Sequence, residues 1–213
     1  NPLNSLNIHL QLMERELKNL PAENAARLRE DIRVAREEIA RLDRIINQFL
    51  RAIRPSTPDL QRVSINEIVT ESLTLMEREI QNRDILVELE LANDLPRCLV
   101  DRAQLKQVFY NLIKNALQAM RAGGILRIRT EASESQLVIS FIDTGHGIAA
   151  EQIGRIFEPY FTTKPTGSGL GLMIVQRIVR EHGGTIDVES NPARGTTVRL
   201  KLPIHEKRTR LLE

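Results

Sequence analysis

The stretch that decides the fold is Asn111–Met120, NLIKNALQAM. It lies in an amphipathic run over Arg102–Arg121, where Leu105, Val108, Phe109, Leu112, Ile113, Ala116, Leu117 and Met120 recur at helical spacing. Gln107, Asn111, Asn115 and Gln118 follow one another at four, four and three residues, so the helix carries one stripe of neutral amides. A solvent-facing stripe is normally rich in Lys and Glu. Amides offer uncharged carbonyl oxygens instead, hard donors of the kind a small divalent cation such as Mg²⁺ takes. A helix that is apolar around most of its circumference must lie against a sheet or other helices, and the flanking sequence supplies both.

Downstream, Ile125–Glu131 and Gln136–Asp143 read as strands on either side of a polar turn. After a long loop come a helix over Gly169–His182 and a hairpin of Thr185–Glu189 with Thr196–Leu202. Upstream lie a short strand near Val63–Ile65, a helix over Asn66–Asn82, the alternating strand ILVELEL at Ile85–Leu91 and a short strand near Cys98–Val100. The mixture predicts an α+β sandwich over Leu60–Pro203, with helices on one face of a mostly antiparallel sheet, and leaves 204–213 as a tail. Internal repeats and low-complexity tracts are absent from the sequence.

The first 54 residues read differently. Leu3, Leu6, Leu10, Met13, Leu17 and Leu20, then beyond Pro21 Leu28, Ile32, Ala35, Ile39, Leu42, Ile46, Phe49 and Ile53, fall at alternating threes and fours, the seam of a coiled coil. A short connection around Pro21–Glu23 folds the two helices into an antiparallel hairpin. One hairpin leaves much of that seam wet, so the expectation is a homodimer whose two hairpins make a four-helix bundle. Two prolines in RPSTPD, Arg54–Asp59, end the second helix and set a linker at 55–59. With 30 Lys and Arg against 28 Asp and Glu the chain is near neutral, which removes the electrostatic case for a nucleic-acid partner. No run reaches the roughly 20 apolar residues of a membrane span, and no signal-peptide pattern opens the sequence. The single Cys98, in an apolar context, reads as a core residue in a reducing compartment. A cytoplasmic location is the expectation, with any membrane anchor lying outside these residues.

Three further segments bear on chemistry. Asp143 ends an apolar strand and opens DTGHGI, Asp143–Ile148; such an Asp commonly caps a turn, and its carboxylate can also accept from the exocyclic amine of a base lying against Gly145 and Gly147. FEPYFTTK, Phe157–Lys164, ends in a cation, and GSGLGL, Gly167–Leu172, opens a helix whose N-terminal N–H groups favour phosphate. Its spacing is neither that of a Walker loop nor of a dinucleotide fingerprint. Together with the amide stripe, these segments describe a nucleotide site.

In this order the four segments resemble the N, G1, F and G2 boxes of bacterial sensor histidine kinases, within the ATPase superfamily that includes gyrase, Hsp90 and MutL. The resemblance spans nearly the whole chain. It implies that residues 1–54 are a dimerisation and histidine-phosphotransfer hairpin and 60–203 a catalytic ATP-binding domain using ATP and Mg²⁺. It implies Mg²⁺ at Asn115 with Asn111 beside it, Gln118 along the same nucleotide face, the adenine amine on Asp143, and Thr196 on the adenine side. The pocket would be shaped by Gly145, Gly147, Ile148, Phe161, Thr162, Thr163, Gly167, Ser168, Gly169, Leu170, Gly171 and Leu172, with Lys164 on a short lid reaching the phosphates. Asn111, Asn115 and Lys164 would then carry catalysis. In hydrolytic relatives the place of Asn111 holds a Glu that activates water; an amide accepts no proton, so the resemblance implies transfer to a histidine and on to an aspartate of a response regulator receiver domain.

The family's acceptor box, His-Glu-x-x-Asn-Pro, meets this chain only at Asn1-Pro2, which puts the acceptor four residues before Asn1. His9 adjoins the hairpin seam, His146 lies between pocket glycines, His182 is placed as a favourable cation at a helix C-terminus, and His205 is in the tail, so no phosphoacceptor is expected within 1–213. Either the box was removed or it lies upstream of these residues. The rivals are an ATP-driven conformational clamp of the gyrase or Hsp90 kind and a non-catalytic dimerisation scaffold; Asn111 and the heptad hairpin argue against the clamp.

Overall fold

The computed structural model describes residues 2–17, 26, 28–40, 42, 57–120, 123–164 and 167–204, in two compact units, Asn1–Pro55 and Ser56–Glu213. In the first unit α1 spans Pro2–Glu16 and a second helix, α2, covers residues 28–40. Leu17 and Ile32 are buried, and with Leu10, Met13, Leu28, Asp31 and Ala35 they line the groove between the two helices. Arg36 Nη1 donates to both carboxylate oxygens of Glu14 at 3.1 Å, which ties α2 to α1. Leu6, Met13, Leu28 and Leu42 of the seam stay 42–52% exposed, as expected of one hairpin with only its own two helices to cover it. The Pro21–Glu23 connection and the seam residues Leu20, Ile46, Phe49 and Ile53 lie outside the described residues.

In the second unit β1 (Gln61–Val63) pairs antiparallel with β3 (Cys98–Val100). The remaining strands are β2 (Ile85–Leu91), β4 (Gly124–Ala132), β5 (Gln136–Asp143), β6 (Thr185–Asn191) and β7 (Gly195–Pro203). They form one sheet in the order β2-β4-β5-β7-β6, with β2–β4 parallel and the other pairs antiparallel. Helices α3 (Ile65–Asn82), α4 (Arg102–Ala119) and α6 (Gly171–Glu181) pack on this sheet: α4 against β4, β5 and β7, α3 against β2, α6 against β6. A single turn, α5 (Ala150–Ile153), interrupts the long loop, an element the sequence reading did not separate from it. Sequence and structure also differ at the first strand, read near Val63–Ile65. Ile65 begins α3 behind its N-cap Ser64 (φ −80°, ψ 124°), so the strand stops at Val63 and takes Gln61 and Arg62 instead.

The core lies between α4 and the sheet. Leu105, Val108, Phe109, Leu112, Ile113 and Leu117 of α4 and Leu126, Ile128, Ile139, Phe141 and Leu200 of the sheet are all buried. The Phe109 and Phe141 rings sit 5.4 Å apart at 53°, a tilted pair that adds about 1 kcal/mol to their burial. Each such fully buried side chain contributes about 1.5–3 kcal/mol. The opposite sheet face is a lattice of charge. Arg127, in register with Glu88, pairs with Glu88 at 2.6 Å and Glu90 at 3.2 Å; Arg129 reaches Glu90 and Glu131 at 3.8 Å; Arg199 pairs with Glu189 at 2.5 Å and Lys201 with Asp187 at 2.6 Å.

The N-terminal end of α4 is closed by side chains. Asp101 Oδ1 caps it, accepting from the Ala103 and Gln104 N–H groups at 2.9 and 3.0 Å, and Oδ2 accepts from the Asp59 N–H at 3.1 Å. The Asp101 N–H in turn donates to His182 Nε2 at 2.9 Å, while His182 Nδ1 lies 2.7 Å from the Ile178 carbonyl. This corrects the reading of His182 as a helix-terminal cation. The imidazole is buried, Nδ1–H donates and Nε2 accepts, which is the neutral tautomer, and it ties the end of α6 to the start of α4.

Candidate functional site

The amide stripe grows more covered along α4: Gln107 is exposed, while Asn111, Asn115 and Gln118 are half-buried. Asn111 faces the start of α6, where a Cβ added to Gly171 would stand 3.5 Å from its Oδ1. One turn further along, the Lys164 ammonium donates to Asn115 Oδ1 at 3.2 Å and to Gln118 Oε1 at 2.7 Å. Burial lowers the lysine's pKa, and the charge of Lys114 beside it adds to the effect, against the pull of Asp143. Lys164 itself is held by its own loop: its N–H donates to Thr162 Oγ1 at 3.1 Å and its carbonyl accepts from the Gly167 N–H at 3.1 Å.

Asp143 is the last residue of β5, paired with Leu126 on one side and Thr196 on the other, and is 8% exposed. Its Oδ1 accepts from the Gly145 N–H at 2.8 Å and the Thr196 N–H at 3.3 Å. Among the described residues no donor is placed on Oδ2. Burial pushes the carboxyl above its ordinary pKa, partly offset by those two N–H groups and by the charges of His146 and Lys164. So the turn-cap and acceptor readings of Asp143 coexist, one oxygen capping the turn and the other left over.

The glycines of DTGHGI serve close backbone packing. A Cβ on Gly145 would stand 2.7 Å from the Ala119 Cβ at the end of α4, and Gly147, at φ 70°, would drive one into the Asn191 backbone. The His146 N–H donates to Ala119 O at 3.2 Å and its carbonyl accepts from Ala193 at 2.8 Å, so this loop fastens α4 to the β6–β7 turn. Ser190, which the sequence reading passed over, closes the same corner. Its hydroxyl accepts from the Ile148 N–H at 2.8 Å, donates to Gly195 O at 3.0 Å and lies 2.9 Å from Thr196 Oγ1. A serine in a strand gives no signal in sequence; its role depends on where Ile148 arrives.

Of the other expected residues, Phe161 is half-buried under the Arg155 guanidinium, 4.7 Å from its ring centroid, and Thr162 and Thr163 are exposed. Gly167, Ser168 and Gly169 are half-buried, Leu170 is buried, and Leu172 is half-buried on the first turn of α6. The helix begins at Gly171 rather than Gly169, behind Leu170, and no side chain caps its N-terminal N–H groups. The structure thus brings together Asn111, Asn115, Gln118, Lys164 and the open end of α6, and sets Asp143 with Thr196 at the strand ends. Among the described residues no group of three His, Cys, Asp or Glu could hold a metal. The amides of Asn115 and Gln118 already gather two neutral oxygens around the positive charge of Lys164, donors of the kind a hard divalent cation takes.

A mixed five-stranded sheet with its long helices on one face, and this set of polar ends, define the ATPase domain of a kinase or clamp. The sequence profile described as the histidine kinase-, DNA gyrase B- and HSP90-like ATPase family matches residues 100–206, and the chain belongs to that family. Sensor histidine kinase ZraS of Escherichia coli strain K12 is 39% identical over 172 residues, covering 81% of this chain and 37% of that protein. The chain therefore spans little more than a third of that relative's length. Among solved structures, histidine kinase ThkA in complex with response regulator protein TrrA is similar with a TM-score of 0.69 and 27% identity, covering 97% of this chain and 58% of that one. Full-length ShkA in complex with AMPPNP gives a TM-score of 0.70 and 26% identity, covering 95% and 45%. Among the described residues no helix is long and apolar enough to cross a membrane.

Proposed function

We propose that this chain is the cytoplasmic kinase core of a two-component sensor histidine kinase, transferring the γ-phosphoryl group of Mg²⁺–ATP to a histidine and from there to an aspartate of a response regulator. The observation that carries the reading is the meeting of Lys164 with Asn115 and Gln118 beside the uncapped N-terminus of α6, with buried Asp143 at the strand ends. Asp143 Oδ2 accepts from the adenine amine, and Thr196 and Ser190 hold the loop around it. The first N–H groups of α6 and the Lys164 ammonium take the phosphate oxygens. Asn115, with Asn111 behind it, would hold Mg²⁺, which would supply neutralisation of the phosphate charge. In the transfer a histidine nitrogen forms the bond to phosphorus as the bond to the ADP oxygen breaks. Asn111 cannot deprotonate water, so hydrolysis does not compete well. The likeness to ZraS, and to ThkA bound to TrrA, supports both the activity and the partner.

The test is labelling with γ-labelled ATP. Residues 1–213 alone bind Mg²⁺–ATP without forming an acid-labile phosphate, and the same residues preceded by His-Glu-Ile-Arg form one. Failure of the extended chain to label while it binds ATP gives the reading to a clamp or a scaffold. We also propose that residues 1–54 dimerise the protein through the half-exposed seam of Leu6, Met13, Leu28 and Leu42. Leu28→Glu with Leu42→Glu should give monomers by sedimentation that still bind nucleotide, because a buried charge at each seam opposes association. A monomeric unmutated chain would refute the bundle.

A further inference from the structure

The Lys164 ammonium is not merely near the amide stripe; it sits on it. Nζ lies 2.7 Å from Gln118 Oε1 and 3.2 Å from Asn115 Oδ1, and the residue is half-buried on a loop turn that fixes its own backbone at Thr162 and Gly167. The ammonium occupies neutral amide oxygens of the kind a divalent ion takes as part of its oxygen shell. Both cannot hold Asn115 Oδ1 at once, because the like charges would lie within a few ångströms in a partly buried place.

We propose that Lys164 is the resident cation of the divalent-metal seat when nucleotide is absent, and that Mg²⁺ arriving with nucleotide takes Asn115 only by expelling the lysine. This rests on the nucleotide-site reading above and adds an exchange of one cation for another at a single oxygen. The lysine joins Mg²⁺ on the phosphates only after it has left the amide oxygens. In the exchange, Lys164 partly substitutes for the metal when the metal is missing and opposes it when present. Both effects flatten the metal dependence of nucleotide binding.

The experiment is calorimetry of ADP binding with Mg²⁺ and with EDTA, for the unmutated chain and for Lys164→Met. The readout is the ratio of the two dissociation constants within each protein. The exchange predicts that Lys164→Met raises the ratio by about tenfold, the scale of one charge-assisted hydrogen bond no longer broken on metal entry. Gln118→Met, which removes the shorter contact and keeps the lysine charge, should raise the ratio in the same direction and serves if Lys164→Met fails to fold. In nucleotide-free protein, the amides at positions 164 and 167 should exchange hydrogen faster in Lys164→Met, since the side chain no longer anchors the turn. Affinities that fall equally with and without Mg²⁺, leaving the ratio unchanged, overturn the exchange and keep the nucleotide site. A protein that binds no ADP under either condition loses the nucleotide reading and this inference with it.

Discussion

The two ends of α4 are built on opposite plans. At the N-terminal end Asp101 accepts from three N–H groups, its own N–H goes to His182, and Arg102 pairs with Glu67 and Glu71. At the C-terminal end the same helix presents Asn111, Asn115 and Gln118 beside an uncapped helix start and a lysine whose ammonium rests on two amide oxygens. Polar groups closed by protein contribute to stability, and polar groups left to weak partners are available for a ligand. One helix therefore divides its length between anchoring and chemistry, and substitutions should divide the same way.

The largest effect should come from the open end. Asn115→Ala is expected to weaken Mg²⁺–ADP binding by about a hundredfold with little change in melting temperature, since it removes a donor to the metal and no core contact. Calorimetry with and without Mg²⁺ checks this, and unchanged affinity would break the contrast outright. At the closed end, His182→Phe leaves the partly buried Asp101 N–H without its acceptor and should cost about 1–3 kcal/mol of stability in urea unfolding, with ADP affinity unaltered. Loss of affinity in that variant would mean that the two ends are coupled.

Asp143 stands between the two plans, and Asp143→Asn tests it. Its folded pKa is raised, so the ionised carboxylate is a burden on the folded state that appears as pH rises above the unfolded value and is fully present above the folded one. Asn keeps an oxygen for Gly145 and Thr196 and removes the charge, so the variant should melt higher at pH 7 while losing about tenfold in ADP affinity. In the unmutated protein ADP affinity should fall on acidification at a higher pH than an ordinary aspartate would give. The smallest effect should be that of Arg102→Ala, whose ion pairs to Glu67 and Glu71 are solvent-accessible, a melting shift near the limit of detection.

What could be read in advance follows from how far each feature reaches along the chain. Ile85–Leu91, Cys98–Val100 and Gln136–Asp143 are readable to the residue because apolar runs there end abruptly at turns. The amide stripe is readable because it depends only on helical period. The parallel pairing of β2 with β4 is not, because alternation in ILVELEL reports faces and says nothing of its partner some forty residues away. Nor is Lys164's seat legible, with Gln118 lying 46 positions earlier. Gly145 reads in sequence as room for a base, and its close approach to Ala119, a neighbour that only the folded helix brings near, is not legible there.

The charged face of the sheet has a bearing on how the chain finds its pairing. Glu88 and Glu90 lie in register with Arg127 and Arg129. Shifting β2 by two residues keeps every apolar side chain on its proper face, so hydrophobic burial alone discriminates poorly against that error. Such a slip in one direction sets Glu90 opposite Glu131 and Leu86 opposite Arg127, and in the other sets Glu88 against Ile125. Pairs of this kind add little to the finished protein, yet they grade the mismatched alignments, and the lattice acts as a proofreading key during assembly of the one parallel junction among the described strands.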